Sequence, residues 1–433
     1  MARAANEISS DYTRILRTLS DRIVAAQRPI RILDHIKWDN GIQEEFFRNN
    51  ARELPKIDRT YYDTLPLGFE AAPKRQEFHQ IEQDILCELG QYNPLGGIMR
   101  RMCREYILVV RMLEARGTPG FALISQELYG SASDAFHEGG PTLADLGKLL
   151  GDAISNIDQS ELLKAPEKNL SAEDAVKILQ KRINQSFREA ESTMRVKLSD
   201  GIEADAAAGA DYIKLRTSAR FNERDLRLLE VHEGWVHLGT TLNGSSQPVC
   251  TFLSKGPPSS TITQEGLAVL MEIITFASYP SRLKRLANRI LAVRMAEQGG
   301  NFLDVYRFYL EQNIGESESF ANASRIFRGS TPAGQPFTKD LSYSKGFVMI
   351  YNYIRLAVKK GMLHRIPMLF CGKTTLEDVR TLAQYVDEGI IVPPRFLPPQ
   401  IADLNGITAW MCYSNFLNKL DLARIQDDYA AIL

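Results

Sequence analysis

Over residues 6–27 the apolar positions Ile8, Ile15, Leu19 and Ile23 recur at helical spacing, with Arg and Asp between them. This pattern predicts an amphipathic helix with one buried stripe. The period returns in Phe78, Ile81, Ile85 and Leu89, closed by Gly90, and again over 98–115, closed by Arg116-Gly117-Thr118-Pro119-Gly120. Ser171 begins a capping arrangement, Ser-Ala-Glu-Asp, ahead of a helix over 175–191. The stretch 139–169 is less regular and reads as a short helix and a loop.

The texture changes after Gly201. Residues 212–221 alternate as a strand does. Asn222 then caps a helix (Asn-Glu-Arg-Asp) running through Leu226, Leu229, His232 and His237. Asn243-Gly244 reads as a turn, 247–253 as a short strand and Gly256-Pro-Pro as a loop. Thr263 opens a helix over 264–277, and further helices are expected over 282–297, 302–312, 344–360, 375–388 and 407–432. The expected fold is therefore α+β and mainly helical, with a few short strands. It falls into a helical N-terminal region (1–200), a central region carrying the chemistry (201–370) and a C-terminal helical region packed on the core (371–433).

Composition narrows the picture only slightly. With 52 Lys plus Arg against 53 Asp plus Glu, the formal charge is −1, which argues against general nucleic-acid binding through phosphate neutralisation. No apolar run approaches the length of a membrane span, and Glu272 interrupts the longest candidate, 267–277. The N-terminus lacks the apolar core of a secretory signal, and five scattered cysteines form no Cys-x-x-Cys pair. Both point to reduced thiols and a cytoplasmic location.

Of only six histidines, two fall in Val231-His232-Glu233-Gly234-Trp235-Val236-His237. A metallopeptidase helix presents two histidines four apart with a glutamate after the first. Here the gap is five, which a regular α-helix would turn to different faces. The spacing predicts a π-type widening between His232 and His237, with Gly234 supplying the backbone freedom. A zinc site needs a third protein ligand. Glu265, in Thr263-Gln264-Glu265-Gly266, is the best candidate and is expected in the first turn of its helix. Glu233 would be the general base on a zinc-bound water. His137-Glu138 has no partner histidine, since position 142 is Thr.

His-Glu-x-x-x-His, Asn243-Gly244 and Gln264-Glu-Gly-Leu-Ala268 together resemble the flavohaemoglobin expression-modulating QEGLA-motif family. That family is related to the microtubule-associated tyrosine carboxypeptidases, zinc enzymes that remove the C-terminal tyrosine of α-tubulin. Arg325-Ile-Phe-Arg328 and Phe337-Thr-Lys-Asp-Leu-Ser-Tyr343 also look typical. The resemblance implies one Zn2+ on His232, His237 and Glu265, Glu233 as base, and a peptide or protein C-terminus as substrate. No motif carries tubulin specificity, so that substrate does not transfer.

A carboxypeptidase also needs cations for the substrate's terminal carboxylate, and Arg325, Arg328, Lys339, Lys214 and Arg216 are the candidates. Tyr343 is a candidate donor to the oxyanion. Asn243 and Gln247 could bind substrate backbone, and Gln264 could orient Glu265 or His237. The basic face of helix 281–294 reads as solvated. Two alternatives remain open at this level: a regulatory or binding protein with a structural zinc, or a zinc hydrolase acting on a non-peptide amide or ester.

Overall fold

The computed structural model describes residues 2–157, 166–188, 190, 194–202, 204–209 and 211–430. The fold is α+β and mainly helical, with one three-stranded sheet among the described residues. Strong periodicity becomes helix where expected: Ala2–Gln27, Ala71–Leu89, Pro94–Glu114, Pro280–Glu297 and Ser342–Lys359. Ser171 caps Ala172–Ser186 by accepting from the Asp174 N–H; the end of the helix read through 191 lies outside the described residues. So do 158–165 of the irregular stretch, whose remainder holds the helix Leu143–Ile157.

Other expectations need correcting. Helices over Asn40–Arg48, Pro119–Tyr129 and Glu316–Phe327 escape the periodicity reading. Pro119, read as part of a stop, is the first residue of its helix, where its missing N–H costs nothing. Asn243-Gly244 lies inside the helix Gly239–Ser245, and 247–253 is no strand but ends in a 3-10 turn, Thr251–Ser254. Among the described residues no neighbouring strand receives this run; Phe252 and Leu253 instead enter the main core, and the Phe252 N–H donates to Ser20 Oγ at 2.6 Å. The expected terminal helix is two, Asn405–Leu417 and Leu422–Tyr429, and 431–433 lie outside the described residues.

The strands are β1 (Arg195–Ser199), β2 (Ala206–Ala208) and β3 (Tyr212–Arg216). Their order is β1-β3-β2, with β1 parallel and β2 antiparallel to β3. Ile213 and Leu215 point to one face of the pleat and bury against Leu179 and Ile183 of the Ala172–Ser186 helix. A larger core holds Leu16, Ile81, Leu267, Ile350, Leu382 and Met411 together, drawing on all three regions of the chain. A third cluster is aromatic, around Trp38, Phe46, Phe302 and Phe320.

Two core helices, Pro258–Ile274 and Ser342–Lys359, cross at backbone contact. A Cβ on Gly266 would fall 2.0 Å from the Gly346 carbonyl carbon, so both positions require glycine. This crossing fixes Glu265, on the first helix, relative to Tyr343, on the second. No helix among the described residues is long and apolar enough to cross a membrane, and all five cysteines are free thiols.

Candidate metal centre

Asn222 and Asp225 close a capping box that starts the helix Glu223–Leu229, and the chain continues directly into a π-helix, Glu230–Leu238. In a π-helix the N–H bonds five residues back, so residues five apart share a face. The Gly239 N–H accordingly donates to the Gly234 carbonyl. His232 and His237 therefore meet, their ring centroids 4.8 Å apart and their planes at 84°. The widening expected from the five-residue gap is present. Gly234 contributes to it differently than expected. Its φ is not left-handed, and what its missing Cβ provides is space, since one would sit 2.7 Å from Ile183 Cδ1.

Glu265 comes from the helix Pro258–Ile274. The expectation of a first-turn carboxylate is overturned, because this helix begins at Pro258 and holds Glu265 mid-helix. There it is 9% exposed. Its Oε2 lies 3.4 Å from His232 Nε2 and 3.5 Å from His237 Nε2. The three ligand atoms lie within 4.8 Å of one another. Donors 2.0–2.1 Å from a tetrahedral zinc are separated by about 3.3 Å, close to the two distances from Glu265 Oε2. Glu265 Oε2 is also buried without a hydrogen-bond partner, a costly state for a carboxylate oxygen unless a cation serves it. Two imidazoles and one carboxylate thus fit a zinc ion by donor type, spacing and need.

Around these donors lies a charged layer that sequence reasoning missed. The His232 Nδ1–H donates to Glu272 Oε1 at 2.6 Å, leaving Nε2 toward the site. Glu272 is fully buried and is held in turn by Arg282, through Nε (3.1 Å) and Nη2 (3.0 Å). Burial raises the Glu272 carboxyl, but the Arg282 charge and the His232 bond outweigh it, bringing it down to about 2. For His232 burial works downward, and the neighbouring Glu265 and Glu272 carboxylates outweigh it and raise it. Glu265 is held well below the usual carboxylate range: its burial is overcome by both histidines and by Lys339. A signal for Glu272 did exist, since it follows Glu265 by seven residues, two helical turns on one face. The expected solvated face of the next helix is also corrected. Arg282 and Arg289 turn inward, Arg289 Nε lying 3.8 Å from Asp340 and its Cζ 4.8 Å from the Tyr343 ring centroid.

Of the remaining site residues, Glu233, Tyr343, Arg325, Arg328 and Lys339 line one cleft of about 330 Å³ with His232, His237 and Glu265. Glu233 Oε2 accepts from the Ala208 N–H at 2.8 Å, while Oε1 lies 4.0 Å from His232 Nε2. The Tyr343 ring lies 6.3 Å from that of His232, and burial pushes its hydroxyl up to about 12, so it stays a donor. Arg325 grips Asp340 with Nε and Nη2, both at 2.9 Å. Lys339 Nζ lies 3.8 Å from Glu265 Oε1.

Asn243 and Gln247 are placed elsewhere. The Asn243 amide donates to the Phe370 and Phe396 carbonyls and accepts from the Arg395 and Phe396 N–H groups. Gln247 likewise ties the Val392 backbone from both ends of its amide. Both staple the C-terminal segment, so the substrate role expected for them is corrected. Lys214 and Arg216 lie outside the cleft, Arg216 pairing with Asp205 at 2.6 Å. Among the described residues the Gln264 amide makes no hydrogen bond to the Glu265 carboxylate or to a histidine ring. Its Oε1 lies 2.7 Å from Thr240 Oγ1 and accepts from Lys373 Nζ (3.0 Å), which also donates to the His237 carbonyl (3.0 Å). Lys373, half-buried and lowered by that burial to about 8, links the two site helices from a distant part of the chain.

The family model for microtubule-associated tyrosine carboxypeptidases matches residues 44–419. None of the curated proteins matches the chain.

Proposed function

The chain belongs to the microtubule-associated tyrosine carboxypeptidase family, and from that premise we propose that it is a zinc-dependent carboxypeptidase removing a C-terminal residue from a peptide or protein. The observation that carries the zinc assignment is Glu265 Oε2, buried, without a hydrogen-bond partner and about equidistant from two imidazole nitrogens. His232 Nε2, His237 Nε2 and Glu265 Oε2 would hold the ion, whose contribution is Lewis-acid stabilisation of charge at the scissile carbonyl.

The chain's own groups supply the rest. Glu233 has one oxygen committed to the Ala208 N–H, which aims the other at the cleft. That oxygen takes a proton from the attacking water and passes it to the leaving amine. Tyr343, kept protonated, donates to the oxygen on which charge develops. Arg328, Lys339 and Arg325 form the cationic end of the cleft, where a free carboxylate is favoured and a mid-chain peptide is not. An open cleft beside the donors favours hydrolysis over a closed structural zinc.

Glu233→Gln tests this directly. It should keep bound zinc and lose hydrolysis by about 10²- to 10⁴-fold, the usual contribution of a general base. Unchanged turnover removes Glu233 from the mechanism.

A further inference from the structure

The helix Asn405–Leu417 lies on the surface yet is apolar on both of its sides. Ile407, Met411 and Ser414 turn inward and bury against the helix Ser342–Lys359. Tyr351 of that helix bonds Ser414 through their hydroxyls, and its ring centroid lies 6.2 Å from that of Trp410. Arg355 Nε donates to Asn415 Oδ1 at 3.2 Å. These contacts make Asn405–Leu417 a fixed platform. At about 100° of rotation per residue, the arc turned away from them holds Gly406, Ala409, Trp410, Tyr413, Phe416 and Leu417. A surface helix normally carries its charged and polar residues there. Trp410, Tyr413, Phe416, Leu417 and the adjoining Leu420 are instead 41–72% exposed, and nothing among the described residues covers them. Together they leave roughly 550 Å² of largely apolar surface bare, the upper end for a monomer.

Spacing, charge and area point to one occupant. Trp410, Tyr413 and Leu417 follow at three and then four residues, the spacing with which two helices interlock. None of the 13 residues of the helix is charged, so a copy meeting itself across a two-fold axis incurs no like-charge repulsion. The same lack of Lys and Arg counts against an anionic bilayer. The bare area is about two-thirds of the roughly 800 Å² that each partner gives a standard interface, the apolar share found in homodimers. We propose that this arc is a homodimer interface, in which a second copy of the chain pairs its Asn405–Leu417 helix with this one about a two-fold axis near Tyr413. No residue of the arc lines the metal cleft, so the pairing stands apart from the carboxypeptidase reading.

The mass of the full chain in solution tests the interface. Sedimentation equilibrium at micromolar concentrations should give twice the 48.8 kDa of a single chain. Tyr413→Glu combined with Phe416→Glu sets like charges against each other and should raise the dissociation constant at least about 100-fold. Both side chains are exposed, so the far-UV circular dichroism should stay that of the wild type. If the pair of substitutions unfolds the helix, Leu417→Lys carries the same test. Cys412, exposed on this helix, gives a second readout once Cys87→Ser has removed the other exposed thiol. A bis-maleimide spanning about 10 Å, the distance between packed helices, should then link Cys412 to Cys412, and should fail to do so in the Glu variant. A wild-type chain that stays monomeric at every concentration, or a Glu variant that remains dimeric, overturns the interface. So does a monomer that floats with phosphatidylserine vesicles, which would assign the arc to lipid.

Discussion

His232 Nδ1 and Glu272 Oε1 are 2.6 Å apart, and the Glu272 carboxylate has no exposure to solvent. Because a carboxylate can only accept, this contact fixes which imidazole nitrogen carries the proton and aims Nε2 at Glu265. Replacing Glu272 with Gln should keep the fold while weakening zinc binding about 10- to 100-fold, as partners of ligating histidines typically do. Competition against a chromophoric chelator measures this, and wild-type affinity would show that the carboxylate does not orient the ring. Glu272→Ala should also destabilise the protein by about 3–5 kcal/mol in urea unfolding, because Arg282 is left buried without its counter-charge.

Gly266→Ala forces a methyl group into the Gly346 backbone, and the helices must separate. The expected loss is at least about 1–3 kcal/mol in urea unfolding, the usual cost of overpacking. Zinc affinity should fall as well, since Glu265 moves with its helix. A fully stable variant with intact zinc binding would mean that the crossing is looser than described.

Asp340 predicts an acid limb in the stability curve. It is buried; although burial raises its carboxyl, Arg325 and Arg289 hold it well below the ordinary range. A depressed carboxylate stabilises the fold above its unfolded pKa of about 3.9, and that stability is lost as pH falls through the folded value. Asp340→Asn should therefore lower stability at pH 7 by about 3–5 kcal/mol and flatten the decline below pH 4. Urea unfolding at several pH values reads both effects; parallel curves for the two proteins would refute the assignment.

Local patterning was enough for the long helices and for the widened turn, because a five-residue gap between His232 and His237 leaves a regular helix no way to bring the rings together. It failed where a neighbour decides. Thr263 looked like a helix start, yet Pro257-Pro258 starts that helix earlier and carries Glu265 to its middle. Arg282 and Arg289 looked solvated because their counter-charges, Glu272 and Asp340, lie on other elements. Asn243-Gly244 looked like a turn, but its amide is spent on a segment some 150 residues later. Lys373 and β2 carry no local signal, since only tertiary packing brings them to the site.

Removing zinc with a chelator should lower Tm, because an ion that binds only the folded state stabilises it by mass action. Re-addition of zinc should restore it. A Tm indifferent to both would argue that His232, His237 and Glu265 hold no ion.

The most direct measurement of the central claim is mass spectrometry of peptides with varied C-termini after incubation with the zinc-loaded protein. The account predicts products shortened by one residue at the C-terminus, absent with Glu233→Gln. Internal cleavage, or peptides left intact by the zinc-loaded wild type, would contradict it.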